Sequence, residues 1–160
     1  MMNLQFKEVC PENREEVERL QIFSDQIDFI ESVKECLAEA DEVSEWKPVG
    51  IYDEEKLIGF AMYGFFKTLP KGQIWLDRLL IDKNFQRQGY GRKATLALLQ
   101  KLHKEYEEDK VYLSVYEDNK AAIALYKQIG FYFNGEYDTK GEKVMVYDYS
   151  PRSSEKNRFK

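Results

Sequence analysis

A single α/β domain with a mixed central sheet flanked by helices is the fold class this sequence predicts, on three observations. Between residues 73 and 129 the hydrophobic period alternates between about 2 and about 3.6, giving strand, helix, strand, helix. On either side, residues 47–66 and 131–149 pattern as two-stranded hairpins, which add antiparallel pairs to the parallel one. The 160 residues, 43% of them hydrophobic, amount to one domain, enough to bury roughly 68–70% of the extended surface. No linker or repeat divides residues 1–149, and residues 150–160 form a polar tail with little to bury.

Each element has its own reason. Leu4 and Phe6, two apart within residues 3–9, suit an edge strand. Pro11 fits a first helical turn, and Glu12, Glu15 and Glu16 put negative charge at that helix's positive end, so a short helix covers residues 12–20. A second helix starts at Ser24 or Asp25, with Ile27, Ile30, Val33, Leu37 and Ala40 spaced by three and four. Residues 47–52 and 57–66 are strands joined by a turn at 53–56. After a loop holding Pro70 and Gly72, residues 73–81 form a central strand whose end, Leu79, Leu80 and Ile81, is apolar on both faces. Residues 91–106 place Ala94, Leu98 and Leu102 in one row of a helix of about four turns. Residues 110–116 alternate as a strand, and residues 119–129 form a helix that Gly130 ends. Residues 131–137 and 142–149 then pair across a turn at 138–141.

Composition removes several function classes. Lys and Arg total 24 against 29 Asp and Glu, a formal charge of −5 that disfavours a general nucleic-acid partner. Cys10 and Cys36 form no CxxC pair, and the sole histidine, His103, sits late in a helix where a dipole contact or solvent suits it. No metal site is expected. The apolar stretches are strand-sized and follow no basic leader, so the expectation is a cytoplasmic protein with no membrane partner.

The chemistry gathers at the turn after the central strand. Gly89 and Gly91 stand two apart between that strand and a helix, removing side chains where an anionic ligand needs close backbone approach, with first-turn amides aimed at it. Arg87, Arg92 and Lys93 reverse the chain's overall sign locally, which implies a phosphate-bearing ligand. The alternative is a shaped turn with ordinary solvated cations. No GxxxxGK[ST] loop is present, and the glycines do not make GxGxxG, which disfavours ATP hydrolysis and dinucleotide redox chemistry.

The run Gln86-Arg87-Gln88-Gly89-Tyr90-Gly91 resembles the acyl-coenzyme A signature of the GNAT superfamily of N-acetyltransferases, and residues 119–131, Asn-Lys-Ala-Ala-Ile-Ala-Leu-Tyr-Lys-Gln-Ile-Gly-Phe, resemble a second segment of that family. Order and spacing extend the resemblance over residues 3–149. It implies acetyl-coenzyme A as cosubstrate and central parallel strands that splay apart to admit it. It also implies backbone contacts from Leu79 and Ile81 to the acetyl and pantetheine portions, and a phosphate cradle from Gln86, Arg87, Gln88, Gly89, Tyr90, Gly91 and Arg92. Asn119 would touch the pantetheine arm, and Tyr126 would stand by the sulfur.

An amine acceptor must lose a proton. With a pKa of about 10.4, holding it neutral at pH 7 costs about 4.6 kcal/mol. Direct transfer needs no protein nucleophile, which fits the absence of a Cys-His or Ser-His arrangement in the sequence. By the resemblance Tyr126 is the general acid, against a packing role. Asp77, inside the largely apolar Trp75-Leu76-Asp77-Arg78-Leu79, is the candidate base, acting directly or through water. Its alternative is a structural ion pair, for which Arg78 looks badly placed because strand neighbours face opposite ways.

Acidic residues on the second helix and its exit, Asp28, Glu31, Glu35, Glu39, Asp41, Glu42 and Glu45, form a pattern that holds a multiply charged cation or simply a solvated face. Glu31, Glu35 and Asp77 are the substrate-binding candidates. The chain resembles bacterial spermidine and spermine acetyltransferases within the superfamily, which implies a polyamine or another small cationic amine as partner, and a homodimer. Another amine substrate, or a noncatalytic acyl-coenzyme A sensor, are the competing possibilities.

Overall fold

The computed structural model describes residues 3–21, 32–67 and 72–149. They form one seven-stranded sheet in the order β1-β2-β3-β4-β5-β7-β6. The strands are β1 (Leu4–Glu8), β2 (Trp46–Asp53), β3 (Lys56–Phe66), β4 (Gln73–Ile81), β5 (Lys110–Val115), β6 (Tyr132–Tyr137) and β7 (Lys143–Asp148). The helices are α1 (Arg14–Glu18), α2 (Val33–Glu42), α3 (Tyr90–Tyr106) and α4 (Lys120–Ile129). The β4–β5 pair is parallel and its neighbours are antiparallel, so the predicted mixed sheet with flanking helices is found.

Two boundaries differ from the sequence expectation. Helix α1 begins at Arg14 because Cys10 O accepts N–H bonds from Asn13 and Arg14, and Asn13 Oδ1 accepts the Cys10 N–H, closing residues 10–13 into a turn. Helix α2 begins at Val33: Ser32 has extended backbone, and its Oγ accepts the Glu35 N–H as an N-cap. The expected start at Ser24 or Asp25, with Ile27 and Ile30, precedes that cap and lies outside the described residues, as does the 150–160 tail. No helix among the described residues is long and apolar enough to cross a membrane.

Each face of the sheet buries its own core. Ala94, Leu98, Leu99 and Leu102 of α3 pack on Ile51, Ala61, Tyr63, Ile74, Leu76, Leu113 and Met145. On the other face Val17 of α1 and Val33, Cys36 and Leu37 of α2 cover Phe60, Met62 and Leu80. Truncating a fully buried leucine such as Leu98 costs about 2–5 kcal/mol. With both faces covered around β3 and β4, the central strands form a fixed frame from which the site residues of β4 and α4 are positioned.

Candidate active site

Strands β4 and β5 are paired only at Ile74 with Val111 and Trp75 with Tyr112. The Trp75 and Tyr112 rings stack at 5.4 Å where pairing stops. Beyond that point the strands part. Leu76, Asp77, Arg78 and Leu79 of β4 face Leu113, Ser114, Val115 and Tyr116 across a recess that Asn119, Ala122, Tyr126 and Glu142 complete. Its cavity is about 90 Å³, below the roughly 300 Å³ of a compact ligand pocket, so it suits a thin arm passing through the sheet.

Asp77 is delivered by a β-bulge. Arg78 lies opposite Met62 and Leu76 opposite Tyr63, leaving Asp77 without a residue across from it. The bulge resets the alternation: Ile74 and Leu76 belong to the α3 side of the core, and past Asp77 so do Leu79 and Ile81. It also corrects the expectation about Arg78. With the alternation broken, Arg78 Nη1 donates to the Asp77 carbonyl at 2.7 Å and lies 3.9 Å from Asp77 Oδ1.

Tyr126, on α4, meets the Phe131 ring edge-on at 5.4 Å. Burial pushes its phenol up to about 12, with the Arg78 guanidinium pulling the other way. The hydroxyl is therefore protonated at neutral pH, the state a general acid requires. Glu142, which sequence reasoning passed over as the start of a strand, is only 4% exposed and lines the same recess. Burial and the nearby Asp138 carboxylate raise its pKa, and Arg78 opposes them. The one signal available beforehand was a charged residue in phase with the apolar Val144 and Val146.

The glycine turn follows β4. Asp82 Oδ1 accepts the Asn84 N–H at 2.9 Å and opens a single 3-10 turn at Lys83–Phe85. Gln86 Nε2 donates to Ile81 O at 2.8 Å, and Gln88 Nε2 to Asn84 O at 3.3 Å. Both glutamine side chains thus brace the turn, and the Ile81 carbonyl is already engaged. Arg87 has φ of 63°. Gly89, at φ of 85°, is the N-cap of α3 and supplies no side chain to its first amides. Tyr90 donates its hydroxyl to Asp53 Oδ2 at 2.6 Å, tying the turn to the β2–β3 hairpin. A Cβ on Gly91 would meet only Leu125 Cδ2, at 3.7 Å. Nothing among the described residues requires glycine there, and the open backbone suits a ligand that approaches closely. Arg87 and Arg92 are exposed beside this cradle.

The structure thus brings Asp77, Leu79, Asn119 and Tyr126 to one recess. Asn119 Oδ1 caps α4 through the Ala122 N–H at 3.3 Å, which leaves its Nδ2 end outside the cap. The acidic helix is not brought there. Glu31 lies outside the described residues, and Glu35, exposed on α2, accepts the Ser32 hydroxyl at 3.0 Å. Asp41 is paired with Arg14 at 2.9 Å. His103 packs on the Tyr149 ring at 4.3 Å. No group of three or more His, Cys, Asp or Glu among the described residues is arranged to hold a metal ion.

The family model of the Acetyltransferase (GNAT) family matches residues 11–131, a span that takes in the splayed strands, the glycine turn and Tyr126; the chain belongs to this family. Within it, the chain is 46% identical over 149 residues to the probable spermine N(1)-acetyltransferase of Bacillus subtilis subsp. natto strain BEST195, covering 91% of this chain and 98% of that protein. Identity is 45%, with the same coverage, to the spermine/spermidine N(1)-acetyltransferase of Bacillus subtilis strain 168. Among solved structures, the spermidine N-acetyltransferase of Vibrio cholerae in complex with CoA and spermine matches with a TM-score of 0.69 at 16% identity, over 91% of this chain and 95% of that one. An aminoglycoside acetyltransferase in complex with coenzyme A reaches 0.76, also at 16% identity and with the same coverage. The shared fold therefore does not select the amine.

Proposed function

We propose that the protein transfers an acetyl group from acetyl-coenzyme A to a primary amine of a polyamine such as spermidine or spermine. The observation that carries the acyl-transfer part is the opening between β4 and β5, with the Tyr126 phenol and the Asp77 carboxylate lining one recess. The polyamine part is supported by 46% and 45% identity to proteins named for spermine and spermidine acetylation.

The residues fit the cosubstrate. The open space at Gly91, the first-turn amides of α3 and the cations Arg87 and Arg92 suit its pyrophosphate. Gln86, Gln88 and Tyr90 act there by bracing the loop. The strand edge at Leu79 and the amide of Asn119 suit the arm. When bound, acetyl-coenzyme A supplies an activated acetyl thioester. Tyr126 holds a proton at its hydroxyl for the departing sulfur. Asp77 accepts the proton that the ammonium group must lose, directly or through one water. Glu142 joins Asp77 in offsetting Arg78, so that two carboxylates face one guanidinium and the recess favours a cation. Glu31 and Glu35 remain candidates for gathering the distant ammonium groups by charge alone.

The same proposal includes a cytoplasmic protein and a homodimer formed along the β6 edge, where Tyr137 is 62% exposed. A spermidine N-acetyltransferase from Vibrio cholerae with this fold is dodecameric. Coenzyme A thiol release over a panel of spermidine, spermine, an aminoglycoside and a lysine peptide tests the chemistry. Polyamine-selective turnover is the expected result. Turnover on another amine overturns the substrate, and tight cofactor binding with no turnover overturns catalysis.

A further inference from the structure

Glu142 is held inward against its own tendency. Burial and the Asp138 carboxylate both disfavour its charged form, so an unrestrained β6–β7 turn gains by swinging that side chain into water. One side chain closes the turn. Asp138 Oδ1 accepts the N–H groups of Lys140 and Glu142 at 2.9 and 2.8 Å, while the Asp138 N–H donates to Glu142 O at 2.8 Å. Its other oxygen reaches out of the turn: Asp138 Oδ2 accepts the Ser114 hydroxyl at 2.8 Å. Ser114 lies on β5, two residues past the last pairing with β4, and itself lines the recess.

We propose that Asp138 is a positioning residue for the acceptor amine: it bridges the Ser114 hydroxyl to the backbone of Glu142 and so fixes the Glu142 carboxylate over the recess. The inference rests on the proposed amine acetylation and takes Glu142, which lines the cation-favouring recess, as the group that receives the acceptor's ammonium. Asp138 does not itself line the recess, so its influence runs through Glu142 and is expected to fall on the amine, with the cofactor turn beyond Ile81 at the end of β4 unaffected. Ser114 is the selective handle, because its removal cuts the tether and spares the two bonds that shape the turn.

The test compares full-length S114A, S114T and E142Q by steady-state kinetics with spermidine and acetyl-coenzyme A, alongside thermal melting. S114A is expected to raise the spermidine KM about tenfold, the weight of one hydrogen bond to a charged group. Its acetyl-coenzyme A KM and its melting temperature stay near the parent's, and S114T, which keeps the hydroxyl, recovers the parent behaviour. An unchanged spermidine KM in S114A while E142Q raises it overturns the tether. An unchanged spermidine KM in E142Q overturns Glu142 as receptor. A loss in S114A shared by both substrates, with lowered melting and no rescue by S114T, overturns the proposal in favour of a folding defect.

Discussion

Tyr126 carries its proton because of where it sits. A phenol pushed to about 12 by burial stays protonated across the pH range in which an amine becomes nucleophilic, so the proposed acid and the amine nucleophile can coexist. Replacing Tyr126 with Phe is expected to lower kcat by about 100-fold or more while leaving the acetyl-coenzyme A KM nearly unchanged; pre-steady-state thiol release and cofactor titration measure the two separately. Tyr126 was legible beforehand because it lies in a recognisable run, Asn119 to Phe131. Glu142 was not, because the Asp138 and Ser114 side chains bonded in series beside it lie 4 and 28 positions away in the chain. Arg78 was misjudged for a related reason: strict alternation sends it away from Asp77, and the bulge brings it back.

At the scale of elements, the glycine turn separates what the fold needs from what a ligand needs. Gly89 has left-handed backbone, whereas Gly91 lies within the helix and has room for a methyl group. Gly89→Ala is therefore expected to destabilise the protein by about 1–2 kcal/mol, and Gly91→Ala to leave stability equal or raise it by up to about 1 kcal/mol. Chemical denaturation of the two variants checks the contrast, and the thermal stabilisation given by coenzyme A should shrink for Gly91→Ala, whose methyl group occupies the ligand's approach. The repeating strand and helix periods made these elements readable. The start of α2 was not, since Ile27, Ile30 and Val33 keep helical spacing across Ser32, whose side-chain bond to the Glu35 amide sets the boundary. Hydrophobic period alone does not register a cap.

For the molecule as a whole, β1 and β6 are the two end strands of the sheet among the described residues. The β6 edge carries an outward Tyr137 and the cation–π contacts of Lys127 and Lys143 with Phe133, at 5.1 and 5.3 Å. A protein with an open edge and aromatic groups beside it gains by pairing with a copy of itself, and closed two-fold pairing is the commonest solution. Light scattering across a dilution series is expected to give twice the chain mass at high concentration, with Tyr137→Lys shifting the mass toward the monomer. A monomer at every concentration overturns the dimer. The mixed sheet was foreseeable from strand and helix order, whereas its opening came only from family resemblance, because periodicity within a strand says nothing about where its neighbour departs.

That opening has a chemical consequence. Past Trp75 and Tyr112, β4 and β5 no longer pair, so the ladder bonds that would join them are not made over the rest of the two strands. A guest that enters there does best if it brings amide groups of its own, spaced along a slender chain, because it then satisfies both rims as a surrogate strand. A purely hydrocarbon arm of equal length brings no such groups, so an acyl carrier with amides along its arm is the expected guest of this opening.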